Sequence, residues 1–370
     1  MPKIITLKLS GLRNLDSAKL EFSPGFNLIY GENGSGKTSL LEAVYLLGRA
    51  KSFRSSSRAP LIQLGLDECV IHADLDDKTG IGFSRSTGGE QHAKINANKI
   101  KNQAELAARL PIQLLNSDTF KIIEGGPGVR RSFLDWGVFH VEHQFIQSWQ
   151  QMQRALSNRN SLLKEKNISP DQIAPWTLEF CRHAEEVHVF RQAYVESLLP
   201  VLQQALNLLL PEAGIDLVYE KGWDEESALG KVLEERLDQD RRYGHTSYGP
   251  HRADLKISSR GSPAAELLSR GQEKLLVLAL KLSQAELYTE ETGRKCLFLI
   301  DDLPAELDAS NRAKILSLLD QSGEQVFVTG IELNQLLKAL KNCKEMRLFH
   351  VKHGKITPEN ITADIASDKG

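Results

Sequence analysis

The chain has 370 residues, 41% of them apolar and 25% charged, with a formal net charge of −2. Such a composition suits an ordinary globular protein of two or three domains. The near-zero charge removes any overall attraction to nucleic acid, so contact with it must come from a local basic patch. No apolar run reaches the roughly 18 residues of a membrane span. The four cysteines, Cys69, Cys181, Cys296 and Cys343, are scattered with no CxxC pair. That pattern suggests neither a zinc site nor a disulfide framework and fits a reducing, cytoplasmic compartment.

The first hundred residues read as β-rich. MPKIITLKLSGL alternates like a strand and lacks the shape of a signal peptide. AKLEF, FNLIYG, CVIHADLDD and IGFSRS continue that style, and AKINANKI reads as a hairpin turning near Ala97–Asn98. A helix carried by Leu40, Leu41, Val44 and Leu47 is expected after Gly36.

From about Arg130 to Arg242 the period becomes helical. Phe180, Ala184, Val187, Arg191, Tyr194, Leu198, Leu202, Ala205 and Leu209 recur in steps of three and four. An earlier helix offers Val141, Phe145, Trp149, Met152, Leu156 and Leu163, and KEKNISPDQIAP between them reads as a charged turn. The expectation is a short antiparallel arm, with about 25 residues per helix giving roughly 37 Å. EESALGKVLEERLDQDRR predicts a third, polar surface helix.

After Asp254 the α/β style returns. The strand DLKIS precedes a helix from Gln272 to about Tyr288, the buried strand CLFLID, a helix near Asn311–Leu319, the strand VFVTG, and a last helix and strand. The fold expected is α/β: one head built from both chain ends, residues 1–125 and 246–358. A helical lobe is inserted at 126–245, and 359–370 form a frayed tail.

The nine residues GENGSGKTS carry the strongest chemical signal. Gly31, four residues, then Gly36-Lys37-Thr38 match the P-loop pattern between an apolar strand and an amphipathic helix. Glycines let several backbone N–H groups converge on one anion, and the helix start adds its positive end. Gly31, Glu32, Asn33, Gly34, Ser35, Gly36, Lys37, Thr38 and Ser39 are therefore the expected nucleotide cradle. Lys37 would reach the β- and γ-phosphates, and the Thr38 hydroxyl would ligate Mg2+. A plain glycine turn leaves the Lys-Thr pair unexplained.

LFLIDD (Leu297–Asp302) supplies an acidic strand. Asp301 stands at the carboxyl end of an apolar strand, where ligands collect in open α/β sheets, and is the expected Mg2+ partner. Asp302 could orient or deprotonate the attacking water. One carboxylate could merely cap a turn; two adjacent ones repel and make more sense near a cation.

LLSRGQEKLLVLALKL resembles the LSGGQ signature of ATP-binding-cassette (ABC) ATPases, with Arg270 in place of the first glycine. PAELD, ending at Asp308, resembles the D-loop of that class. The resemblance implies that Ser269, Arg270, Gly271, Gln272 and Asp308 face the nucleotide held by a second copy, so that ATP joins two heads. Ser269 can equally be an ordinary helix cap.

Nearly the whole chain is similar to the RecF family of bacterial recombination mediators, relatives of SMC-type ATPases. LRNL, GPGVRRSFLDW, YGPHRADL and LIDDLPAELD carry that likeness. It implies ATP-dependent homodimerisation on DNA, slow DNA-dependent ATP hydrolysis, and recombinase loading at gaps with mediator partners in repair and replication restart. Arg13 and Asn14 resemble the family's nucleotide-side residues; they can equally be exposed polar turn residues. The second acid is Asp302 where transporters usually carry Glu. TGIE has no switch histidine at Ile331 or Glu332, and Gln113 and Asp118 compete for the Q-loop place.

Basic residues suggest where DNA backbone would bind with little sequence reading. Lys51, Arg54 and Arg58 lie in GRAKSFRSSSR, and Arg130 and Arg131 open the helical region. Arg49, Arg154, Arg159, Lys164 and Lys166 are further basic positions. Each can equally be a solvated surface charge. Two other functions stay open: the nucleotide-binding subunit of a transporter, and a non-hydrolytic scaffold held together by ATP.

Overall fold

Alternating apolar residues build the amino-terminal strands of the computed structural model, which describes residues 3–54, 60–100, 102–165, 169–338, 340, 343 and 345–359. Strands β1 (Ile4–Ser10) and β2 (Ala18–Glu21) pair antiparallel, with Leu7 opposite Leu20. β3 (Phe26–Tyr30) is apolar except for Asn27, and its first four residues are buried, as in a strand covered on both faces. The glycine loop then leads into helix α1 (Lys37–Arg49).

β4 (Glu68–Leu75), β5 (Gly80–Ser86), β6 (Gln91–Ile95) and β7 (Asn98–Lys99) complete an antiparallel sheet ordered β2-β1-β4-β5-β6-β7. Its last turn is at Asn96–Ala97, one residue before the expected place. Both residues have positive φ, 49° and 65°, as a two-residue hairpin turn of type I′ requires. Helix α2 (Gln103–Arg109), started by an Asn102/Glu105 capping box, precedes β8 (Ile112–Leu115).

The middle contains α3 (Lys121–Glu124), α4 (Pro127–Val141), α5 (Phe145–Leu163), α6 (Pro170–Leu209), β9 (Ile215–Glu220), α7 (Leu229–Glu235) and α8 (Leu237–Tyr243). β10 (Asp254–Ser259), β11 (Ser262–Pro263), α9 (Ala264–Leu267) and α10 (Arg270–Thr292) follow. The chain closes with β12 (Leu297–Ile300), α11 (Leu303–Glu306), α12 (Ala309–Ser322), β13 (Gln325–Gly330), α13 (Leu333–Leu337), β14 (Met346–Lys352) and β15 (Lys355–Glu359).

The described residues form two compact units. One combines the chain up to Thr119 with the chain from Gly293 onward. Its second sheet is ordered β15-β14-β3-β13-β12-β8, and every neighbouring pair except β14 with β15 runs parallel. α1 packs against β13 of this sheet and against β4 and β5 of the antiparallel sheet. Leu40, Leu41, Val44 and Leu47 are fully buried in the shared core with Ile71, Phe83, Leu299 and Phe327.

The other unit is Phe120–Thr292. Its carboxyl boundary differs from the expected one at residue 245. β10 pairs with β9, and α10 packs on α4 and α6, so the segment expected in the head belongs to the helical unit. α6 has 40 residues, or about 60 Å at the helical rise, against the expected 37 Å. Pro170 is its first residue, and Pro175 lies inside it instead of breaking it. Burial from Ile173 to Leu209 along α5 and α10 outweighs the roughly 3 kcal/mol that an interior proline costs. The expected polar helix is two short ones, split at Arg236. Among the described residues no helix is long and apolar enough to cross a membrane.

Candidate nucleotide-binding site

The parallel strands β3, β13, β12 and β8 end on one edge of their sheet, the edge where open α/β sheets hold ligands. Three glycines shape the loop leaving β3. Gly31, Gly34 and Gly36 have φ of 151°, 76° and 120°. A Cβ on Gly36 would lie 2.6 Å from Leu15 Cδ2, and one on Gly31 would lie 2.1 Å from the Val351 carbonyl oxygen. The first helical bond runs from Leu40 N–H to the Gly36 carbonyl at 3.1 Å. No side chain caps the helix, which leaves the N–H groups before Leu40 for an anion.

Lys37 is buried, and its ammonium donates to the Gly31 and Glu32 carbonyls at 2.8 and 2.9 Å. Burial lowers its pKa, against the raising influence of Asp302 and Asp301. Ser35 Oγ is buried without a hydrogen-bond partner. An orphaned hydroxyl beside uncapped amides and a lysine is what a phosphate chain would satisfy.

The metal-side expectation rests on one contact. Thr38 Oγ1 donates to Asp301 Oδ1 at 3.0 Å. Thr329 at the end of β13, which sequence reasoning did not select, adds two more bonds. Its hydroxyl donates to the same oxygen at 2.7 Å and accepts from Asp302 N–H at 2.7 Å. A polar residue at the end of a wholly buried strand was the available signal. Among the described residues no group of three His, Cys, Asp or Glu could hold a metal alone. A hydroxyl and one carboxylate suit Mg2+, which keeps waters and takes phosphate oxygens.

Asp302 has a left-handed backbone, φ 50°. Burial raises its pKa, Asp301 adds to that, and Lys37 opposes it. Such a carboxylate holds a proton more readily than an exposed one, a property suited to a general base.

Asn14 braces the cradle from outside. Its amide donates to the Gly34 carbonyl at 3.1 Å, and its Oδ1 accepts from the Ser39 hydroxyl at 3.2 Å. Arg13, expected on the nucleotide side, is engaged by the helix that follows the loop. Its guanidinium binds Glu42 of α1 at 2.9 and 2.7 Å and the Pro60 carbonyl at 3.1 Å. Glu42 is fully buried, so the arginine serves as its counter-ion. The β14–β15 turn also supports the loop, with Gly354 N–H donating to the Ser35 carbonyl at 2.9 Å.

In the helical unit the signature residues Ser269, Arg270, Gly271 and Gln272 are all exposed at the start of α10. Ser269 and Gln272 cap each other: Ser269 N–H donates to Gln272 Oε1 at 2.9 Å, and Gln272 N–H to Ser269 Oγ at 3.4 Å. No atom lies within 4 Å of where a Gly271 Cβ would be. In the first unit, Asp308 caps α12 by accepting from Asn311 N–H at 3.0 Å.

The chain matches the RecF/RecN/SMC N-terminal domain family over residues 3–357. It is 43% identical over 355 residues to the DNA replication and repair protein RecF of Stutzerimonas stutzeri (strain A1501), covering 95% of this chain and 96% of that one. The chain belongs to the RecF family. RecF of Cellvibrio japonicus (strain Ueda107) is 44% identical over 357 residues, covering 95% and 98%. A solved structure of the recombination mediator protein RecF with ATP, in the RecFOR pathway, is similar with TM-score 0.86 and 29% identity over 97% of this chain and 98% of that one. The fold is the SMC/RecF ABC-type ATPase head.

Family resemblance also framed the weaker expectations. Gln113 is fully buried within β8, whereas Asp118 is exposed three residues past its end. Ile331, at the switch position after β13, is 45% exposed. Of the basic residues, Lys51 and Arg54 are exposed, and Arg58 lies outside the described residues, as does Lys166. Arg130 and Arg131 are not free cations. Arg130 makes a two-pronged ion pair with Asp254 at 2.7 and 2.9 Å, and Arg131 donates to the Ala253 carbonyl at 2.7 Å. Arg159 is fully buried against Asp240. Spacing alone could not distinguish these structural arginines from a phosphate-binding row.

Proposed function

We propose that the chain is an ATP-driven switch: it binds ATP with Mg2+, pairs with a second copy on DNA, and hydrolyses ATP slowly to part again. Its place is the cytoplasm. Its task is DNA replication and repair, where it assists recombinase loading at gaps together with mediator proteins. The observation that carries the reading is the Thr38–Asp301 hydrogen bond, which joins the phosphate loop to the acidic strand at one sheet edge. Lys37 and the loop amides would hold the phosphates, with Thr38 and Asp301 holding Mg2+. Bound Mg2+ would neutralise charge on the phosphate oxygens. Asp302 would take the proton of the attacking water.

Pairing follows from the exposed signature tip. Its capped serine, open glycine and helix N-terminus offer anion contacts that a second molecule can use. RecF relatives named for DNA replication and repair, and the RecF structure with ATP, support the repair task and the nucleotide of this reading. A transporter subunit is disfavoured by Ile331, where a switch histidine would stand.

The test is light scattering with ATP, ADP or no nucleotide, with and without DNA. A dimer with Mg-ATP alone among the nucleotides supports the proposal. A single particle under saturating Mg-ATP and DNA overturns it. DNA affinity should fall steeply with salt because the contacts are to phosphates.

A further inference from the structure

YGPHRADL, one of the more specific stretches in the sequence, plays no part in the nucleotide site. In the helical unit its first residues belong to a loop that leaves α8 at Tyr243 and ends at Arg252. The loop is pinned from beneath. Thr246 is buried and donates its N–H to Asn160 Oδ1 at 2.8 Å, and Ser247 N–H donates to Asp240 Oδ1 at 3.0 Å. The His251 ring is 3.0 Å from the Thr246 carbonyl through Nε2, and Gly249 N–H donates to the Gly222 carbonyl at 3.1 Å.

Other side chains of this rigid loop line an open groove of about 540 Å³. Tyr243 is 60% exposed, and its ring stacks on His245 at 5.9 Å with 20° between the planes. Tyr248 lines the same groove and has the Arg236 guanidinium 5.8 Å from its ring. Arg252 is exposed, and its side chain has no hydrogen bond or ion pair among the described residues. Ser247 Oγ is buried at the groove without a partner.

These groups match two chemistries at once. A pair of nearly parallel rings, one widely exposed, offers a face for a planar base. An unpaired guanidinium and an unsatisfied hydroxyl offer donors for a phosphate. A duplex hides its base faces in the stack, whereas a single strand presents them. We infer that the Tyr243–Arg252 loop is a contact site for single-stranded nucleic acid, stacking a base on Tyr243 and binding the adjoining phosphate through Arg252 and Ser247.

This inference rests on the DNA-binding reading and gives it a strand preference and a location. The test uses the full-length protein with Mg-ATP and measures fluorescence anisotropy of a labelled oligothymidylate and a duplex of equal length. Tyr243→Ala is expected to weaken oligothymidylate binding about tenfold while leaving duplex binding and ATP turnover unchanged. Tyr243→Phe, which keeps the ring, should bind like the parent. Arg252→Ala should reduce the slope of log affinity against log salt by about 0.7. Unchanged oligothymidylate affinity in Tyr243→Ala and Arg252→Ala overturns the inference, as does equal loss on both DNA forms. A parent protein that binds duplex but not oligothymidylate sinks this site and leaves the DNA-binding reading standing. Failure to bind either form sinks both.

Discussion

Thr329 donates its hydroxyl to Asp301 at 2.7 Å, although one lies on β13 and the other just past β12, 28 positions apart. The same hydroxyl accepts from Asp302 N–H. One side chain on β13 thus orients the expected Mg2+ partner and fixes the backbone of the expected base. Thr329→Val keeps the shape and removes both bonds. Turnover should fall about 10–100-fold, as when the support of a metal ligand is lost. Leaving the Asp302 amide unpaired should cost about 1–3 kcal/mol of stability. Steady-state ATPase assays and thermal unfolding measure the two effects; unchanged turnover would show that Asp301 needs no such support.

Asp302→Asn should cut hydrolysis about 10²–10⁴-fold and leave a nucleotide-bound dimer that persists in size-exclusion runs. The pH dependence has a definite sign. Burial raises the Asp302 pKa above its ordinary value of 3.8, so the folded protein takes up this proton before the unfolded chain does. Its contribution to stability therefore falls as pH rises from the unfolded value through the folded one. The acidic limb of the turnover profile should sit above an ordinary aspartate's pKa and disappear in the variant. An acidic limb retained in Asp302→Asn assigns that titration elsewhere.

Arg13→Ala should harm folding more directly than nucleotide contact. It strips the close, two-pronged counter-ion from Glu42, whose side chain is fully buried, and leaves only Arg54 at 4.0 Å. The expected loss is about 3–5 kcal/mol, measured by denaturant unfolding. The double variant Arg13→Ala/Glu42→Gln should recover part of that loss, since no buried charge is then left unpaired. A single variant as stable as the parent would show that Glu42 is satisfied without the arginine.

Ser269→Arg places a bulky cation on the exposed tip of α10. ATP affinity should be unchanged in fluorescence titration, while ATP-driven pairing should be lost in light scattering. Pairing at the parent's concentration dependence would refute a site shared between two copies.

How much of this was visible in the residues varies with the physics involved. The P-loop and the acidic strand were legible because phosphate chemistry demands a fixed spacing, from Gly31 to Thr38 and from Leu297 to Asp302. A unit drawn from both chain ends was expected from the return of α/β patterning after Asp254, but that strand and the helix after it belong to the helical unit, and the first unit resumes at Gly293. The length of α6 was hidden because Pro175 is a strong local break signal, and only packing along the whole helix overrides it. Thr329 and Glu42 act through partners 28 and 29 positions away, and no local pattern reports such pairings. The same limit concealed that Arg130 belongs to Asp254, 124 positions distant.

The bond from Gly354 to Ser35 has a consequence for how the protein is made. A ribosome translating this message produces the glycine-rich cradle long before the turn that props it, because Ser35 and Gly354 are far apart in the chain. Asp301 and Thr329 also arrive late. A nascent chain therefore carries its cradle without prop or acidic partner until Gly354 has been added, so a firm grip on a triphosphate is expected long after the loop itself emerges.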